Sequence, residues 1–195
     1  MKSLSAIAAT FLACLPATAE ERQSVAEFSP GESARLDWRI VDDGVMGGLS
    51  RGNHQISKDG ILRFSGTLSL ENNGGFSSLR TGNVMLDLGD AGGVILRVKG
   101  DGRSYQIRFG TDARYRGHEM SFQAGFPTAK DKWIEVKIPF QRFAGTWRGR
   151  QLPDKIFEPS KIRRVGVQLA DEKEGPFELQ IDWIRTYGRN TPADR

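Results

Sequence analysis

The chain has 195 residues, with 28 Lys and Arg against 24 Asp and Glu, a formal net charge of +4 and the two signs interspersed. It contains one cysteine, Cys14, so nothing beyond that position can form a disulfide framework, a thiolate nucleophile or a cysteine metal site. No basic run with interleaved aromatics occurs, which argues against nucleic acid as a partner.

The N-terminus reads as a secretory signal peptide over residues 1–19. Lys2 supplies a positive charge, Leu4 to Leu15 is almost wholly apolar or small, and Ala17-Thr18-Ala19 offers small residues for cleavage after Ala19. The expected location is therefore periplasmic or secreted. Leu12-Ala13-Cys14 loosely resembles a lipoprotein processing site, although Phe11 stands where Leu is usual; soluble export is the stronger reading. The apolar run falls short of the roughly 20 residues of a membrane-spanning helix, and no later segment approaches that length. Residues 20–33 read as a polar lead-in with a turn at Pro30-Gly31, residues 34–188 as one β-sandwich domain, and residues 189–195 as a disordered tail.

From Leu36 onward the dominant signal is alternation, the mark of half-buried strands. Leu62, Phe64, Gly66, Leu68 and Leu70 share one face against Arg63, Ser65, Thr67 and Ser69. Tyr105, Ile107 and Phe109 alternate with polar neighbours, as do Ile134, Val136 and Ile138. Near the C-terminus Phe177, Leu179, Ile181 and Trp183 are expected on one face. Leu36 to Val41, Gly75 to Arg80, Val94 to Lys99, Glu119 to Ala124 and Ile162 to Leu169 are further strand candidates. Turn clusters separate them, among them Lys58-Asp59-Gly60, Asn72 to Gly75 and Gly100-Asp101-Gly102. At most a short helical turn is expected, at Asp154 to Phe157. Many short strands with Gly-rich turns predict an all-β fold, a sandwich or jelly roll.

Candidate chemistry is sparse. Gly48-Leu49-Ser50-Arg51-Gly52 matches the G-x-S-x-G pattern of a nucleophile elbow, but that motif needs a strand before the Ser and a helix after it. A Gly-rich loop with an incidental Ser is the stronger reading. His54 and His118 are the only histidines, too few for a three-His zinc site. Asp42, Asp43, Asp87, Asp90, Asp101 and Asp112 lie in or near turns, where oxygen ligands can hold Ca²⁺. Asp is also a good turn former, and a calcium site is the weaker reading. Trp38 and Trp183 sit in apolar patterns and read as core. Trp133, on a polar strand face, and Trp147, in a probable-loop sequence of Gly145 to Gly149, are the candidates for exposed contact. No catalytic set, cofactor site or metal site is assigned.

Several segments together carry a family resemblance: Asp37-Trp38 with Asp42-Asp43-Gly44-Val45-Met46-Gly47-Gly48-Leu49-Ser50; Phe64-Ser65-Gly66; Glu71-Asn72-Asn73-Gly74-Gly75-Phe76-Ser77-Ser78; Lys99 to Tyr105; and Trp133 to Val136 with Pro139-Phe140. This pattern resembles the complex I intermediate-associated protein 30 family over roughly Trp38 to Tyr187. The resemblance implies a jelly-roll β-sandwich that is galactose-binding-domain-like. It also implies a non-catalytic, chaperone-like assembly factor whose partner is a protein, such as a membrane-complex subunit or assembly intermediate. A carbohydrate- or polysaccharide-binding module in the cell envelope is the alternative expectation. Trp38, Asp42, Asp43, Met46, Ser50, Asn72, Asn73, Phe76, Asp101, Arg103, Tyr105 and Trp147 are the candidate binding-edge or motif residues. Asp42 and Asp43 are expected to bond turn amides, and the segments 38–50, 72–76 and 100–103 to shape one binding edge.

Overall fold

A computed structural model describes residues 23–29 and 36–189. The expected signal peptide, the Pro30-Gly31 turn and most of the expected tail lie outside the described residues. The described chain is built from strands β1 (Ser24–Glu27), β2 (Trp38–Asp42), β3 (Arg51–Ile56), β4 (Leu62–Leu68), β5 (Ser77–Thr81), β6 (Ala91–Gly100) and β7 (Ser104–Tyr115). These are followed by β8 (His118–Pro127), β9 (Trp133–Pro139), β10 (Ala144–Trp147), β11 (Arg150–Leu152), β12 (Arg164–Leu169) and β13 (Gly175–Gly188). Short 3-10 turns are the only helical pieces among the described residues.

The strands form two antiparallel sheets, a jelly-roll sandwich. One sheet has the order β3-β4-β13-β6-β9, with β1 added beside β13. The other has the order β11-β10-β8-β7-β12-β5-β2. Alternation explains both. Leu62, Phe64 and Leu68 of the first sheet meet Tyr105, Ile107, Phe109, Val165, Val167 and Leu169 of the second in one buried core. Each such side chain contributes roughly 1.5–3 kcal/mol on leaving water. At one end of this core Phe157 stacks on Phe109 at 5.7 Å and on Phe143 at 5.0 Å, and meets Phe122 and Phe140. The expected helical turn at Asp154 to Phe157 is not formed; the backbone stays open there and plants Phe157 in this ring cluster, and a 3-10 turn follows at Pro159–Lys161.

Three further departures have local causes. The stretch expected as a polar lead-in supplies β1, which pairs with Trp183 to Arg185 of β13. Phe28 just after it is fully buried and meets Trp38 at 5.8 Å between ring centroids. Trp183 does not share a face with Ile181. The pairing of β13 with β6 slips between Ile181 and Trp183, and such a bulge inverts the alternation beyond it. Ile184 then joins the main core, while Trp183 packs with Ile95 and Tyr187 in a separate small cluster on the other side of the sheet. Finally, β3, β10 and β11 are strands that alternation did not announce. Their sequences, RGNHQI, AGTW and RQL, are polar or small, and pairing with β4, β8 and each other sets their conformation.

Candidate functional site

The two aspartates of the glycine-rich segment cross-link the sheets. Asp42 ends β2 in the seven-stranded sheet. Its Oδ2 accepts from the Gly52 amide of β3, in the other sheet, at 2.9 Å, and its Oδ1 accepts from the Ser77 hydroxyl of β5 at 2.6 Å. Gly52 fits only because it lacks a side chain: a Cβ there would lie 2.3 Å from Ser77 Oγ.

Asp43 opens a 3-10 turn, Asp43–Met46, and is fully buried. Its Oδ1 accepts from the Ser50 amide at 3.0 Å. Its Oδ2 accepts from the Ser50 hydroxyl at 2.6 Å and from the amides of Gly75 at 2.7 Å and Phe76 at 3.2 Å. Ser50 Oγ in turn accepts from the Ser69 amide at 3.0 Å. Burial alone would raise the Asp43 pKa. The Ser50 hydroxyl and the Gly75, Phe76 and Ser50 amides more than offset it and hold the carboxyl below its usual range. Gly48 passes so close that a Cβ would sit 2.4 Å from the Asp43 carboxyl carbon. Ser50 is thus a buried partner of Asp43, with its hydroxyl committed on both sides.

A second knot lies at the same end of the sandwich. Asp101 Oδ1 accepts from the Arg103 amide at 3.0 Å; its Oδ2 accepts from the Tyr105 hydroxyl at 3.0 Å and from the Glu178 amide at 2.9 Å. The Arg103 guanidinium forks onto Asp171, with Nε to Oδ2 at 3.0 Å and Nη2 to Oδ1 at 2.5 Å, and also donates to the Pro176 carbonyl at 3.1 Å. Burial opposes the charge on Asp171, but the Arg103 bonds prevail and its pKa is lowered. Tyr105 is fully buried, and burial first, then the Asp101 charge, pushes its phenol far above the usual value. The Ser69 hydroxyl, 3.4 Å from Glu174 Oε1, links the two knots.

The structure therefore brings together the segments 42–50, 69–76 and 101–105 at one end. The backbone at Asn72 and Asn73 is left-handed, with φ of 54° and 59°, and the Asn72 amide donates to the Gly47 carbonyl at 3.3 Å, tying the two loops. Trp38 lies in the core, 7 % exposed. Trp147 is not part of this end. It closes β10 at the opposite end, half-buried, with Tyr115 at 5.4 Å and His118 at 5.8 Å. Ser69, Ser77, Thr128 and Asp171 were missed from sequence. Thr128 accepts from Gly102 N at 3.1 Å and donates to the Arg103 carbonyl at 2.8 Å. Their only signal is a polar residue at or just beyond a strand end.

Beside exposed Glu71, Asn72 and Asn73, the linked loops present four large apolar side chains. Val45 is 76 % exposed, Met46 57 %, Leu49 43 % and Leu70 43 %. Of the turn aspartates considered for calcium, Asp42, Asp43 and Asp101 are committed to amides and hydroxyls, and Asp87 Oδ1 takes the Gly89 amide at 2.9 Å. Among the described residues no group of three or more His, Cys, Asp or Glu side chains is placed to hold a metal ion. No helix among them is long and apolar enough to cross a membrane.

Comparison with known proteins agrees with this architecture. The Family 11 carbohydrate-binding module of a cellulosomal cellulase from Clostridium thermocellum superposes with a TM-score of 0.64 at 15 % identity, covering 88 % of this chain and 96 % of that one. At that identity the likeness is one of fold. By sequence, the mouse protein named complex I intermediate-associated protein 30, mitochondrial, is 30 % identical over 179 residues, covering 80 % of this chain and 54 % of the relative. The Drosophila melanogaster protein of the same name is 27 % identical over 169 residues, covering 82 % of this chain and 55 % of the relative. The chain thus spans about half the length of these relatives. The family model for complex I intermediate-associated protein 30 matches residues 26–181, and the chain belongs to that family.

Proposed function

We propose that the protein is a non-catalytic assembly factor that binds a subunit or intermediate of a membrane respiratory complex through the end of the sandwich that Asp42 and Asp43 organise. One observation carries the reading. Asp42, Asp43 and Ser50 are consumed by internal hydrogen bonds, while Val45, Met46, Leu49 and Leu70 stand exposed on loops those bonds hold. Apolar side chains displayed on a braced loop suit a protein partner. Family membership supplies the partner class, since the relatives are named for association with a complex I intermediate.

The test is crosslinking from intact membranes with the chain and with a Val45→Asp, Met46→Asp double variant. Both positions are exposed, so the fold should stand, and circular dichroism checks that. The wild type should capture a respiratory-complex subunit and the variant should not. Equal capture by both, or no such subunit from either, would overturn the proposal.

The signal-like N-terminal sequence supports the further proposal that the protein is exported, to the periplasm or beyond. N-terminal sequencing of the protein from the envelope fraction should begin at Glu20; an intact Met1 in the cytoplasmic fraction would refute export. The carbohydrate alternative has the fold likeness behind it but little chemistry. Trp147 is stacked against its neighbours, and Trp133 carries Arg97 and Lys99 at 5.5 Å from its ring centre rather than a bare face.

A further inference from the structure

The outward face of the seven-stranded sheet holds an unbalanced positive charge. In the paired register Arg39 lies opposite Arg80, Arg80 opposite Gly166, and Gly166 opposite Arg108. Gly166 puts no side chain between the two inner arginines. A Cβ there would approach Arg80 Cγ at 3.3 Å and the Leu79 carbonyl at 2.8 Å. Arg164 lies two residues from Gly166 on the same face.

Arg39 and Arg164 have carboxylate partners, Asp37 and Glu119, each at 2.5 Å. Arg80 and Arg108 form no ion pair among the described residues. Arg80 donates to the Ser78 hydroxyl at 3.2 Å, Ser78 donates to Gln168 Oε1 at 2.9 Å, and Arg108 donates to that same oxygen. A neutral amide oxygen thus occupies the point where a carboxylate would neutralise both cations. Burial, then repulsion from Arg164, lowers the Arg80 pKa; burial, then repulsion from Arg80, brings Arg108 down to about 10.

An open cleft of about 370 Å³ adjoins Arg80, bounded by Arg39, Arg80, Asn83 and Arg164. That volume lies in the range of small-ligand sites, about 300–1,000 Å³. Arg108 stands behind it, one strand further on. Next to Gln168 in the register, Gln106 buries its Oε1 with no hydrogen-bond partner. The register rows of this face that run through β2, β5, β12, β7 and β8 carry no aromatic side chain on which a neutral sugar could stack.

We infer that this face is a binding site for a phosphomonoester, with Arg80 and Arg108 as the primary charge partners and Arg164 and Arg39 at its margin. Two uncompensated guanidiniums match the two charges of the dianion, and their forked N–H groups match its oxygens. The site is separate from the apolar loops at the end of the sandwich, so either assignment can fail without the other.

Two probes separate the possible sources of the phosphoryl group. Glycerol 3-phosphate is titrated by calorimetry, and phosphatidic acid is offered in phosphatidylcholine vesicles by co-sedimentation. Binding of the soluble probe alone assigns a free ligand, and binding of the vesicles a lipid headgroup; both support the site if they depend on its arginines. Arg80→Gln with Arg108→Gln should weaken binding at least about tenfold, since each charge-assisted bond is worth more than the roughly 1.4 kcal/mol of a tenfold change. Gln168→Glu is the cleaner variant: it places an anion between the cations, should raise the melting temperature, and should abolish binding. Binding of neither probe, or binding that survives Gln168→Glu in a folded protein, would overturn the inference.

Discussion

Asp43 shows how one residue can serve structure at a position that sequence marks as functional. Its four hydrogen bonds come from two separated chain segments, Ser50 and Gly75-Phe76, and it is fully buried. In Asp43→Asn an amide would face donors, and at least one buried N–H or O–H would lose its acceptor. We expect a loss of about 2–4 kcal/mol in denaturant unfolding, from roughly 1–3 kcal/mol for each unsatisfied group. The pH dependence follows from the direction of the shift. The folded pKa lies below the unfolded one, so the stabilisation is complete above the usual carboxylate value of about 4 and is lost as pH falls toward the depressed value. Urea midpoints measured from pH 7 to pH 3 should fall for the wild type and fall less for the Asn variant. Equal slopes would mean that other carboxylates, such as Asp171, govern acid sensitivity. That these aspartates bond turn amides was legible from their place after a strand and before glycines. That Ser50 and Gly75 would converge on one of them was not, because the convergence is made in space by separated chain segments.

At the scale of the element, alternation located nine of the strands, and two of the misses, β3 and β10, share a cause. β3 and β10 present glycine and polar residues because their positions ask for close approach: a Cβ on Gly52 of β3 would lie 2.3 Å from Ser77 Oγ, and one on Gly145 of β10 would lie 2.9 Å from the Leu152 carbonyl. Where backbones must meet, the hydrophobic signal vanishes. The bulge in β13 is equally silent, since the residues on both sides of it are apolar and either face could hold them. β1 was hidden by its brevity, yet Phe28 behind it is 1 % exposed. Phe28→Ala should cost about 3–5 kcal/mol in thermal or denaturant unfolding. A neutral result would return this stretch to the status of a lead-in.

On the scale of the whole molecule, the sandwich separates its duties. One end is braced by aspartates and displays apolar side chains; the outward face of the seven-stranded sheet gathers arginines around Gly166. Fold class and family were readable in the sequence because strand alternation is local and the motif segments are specific in combination. The arginine face was not readable, since Arg39, Arg80, Arg108 and Arg164 are scattered along the chain and only strand order β7-β12-β5-β2 makes them neighbours. The aspartate brace has a temporal meaning too. Its acceptors sit at the end of β2, and its donors come from the approaches to β3 and β5, with Ser69 arriving from the end of β4. The Asp42–Gly52 bond joins β2 to β3 and so closes only when strands of both sheets have docked. The loop that carries Val45 and Met46 lies between these two residues and is tied at both ends only then, so a partly unfolded chain has no finished surface there. Docking of the two sheets and completion of this exposed apolar surface become a single event.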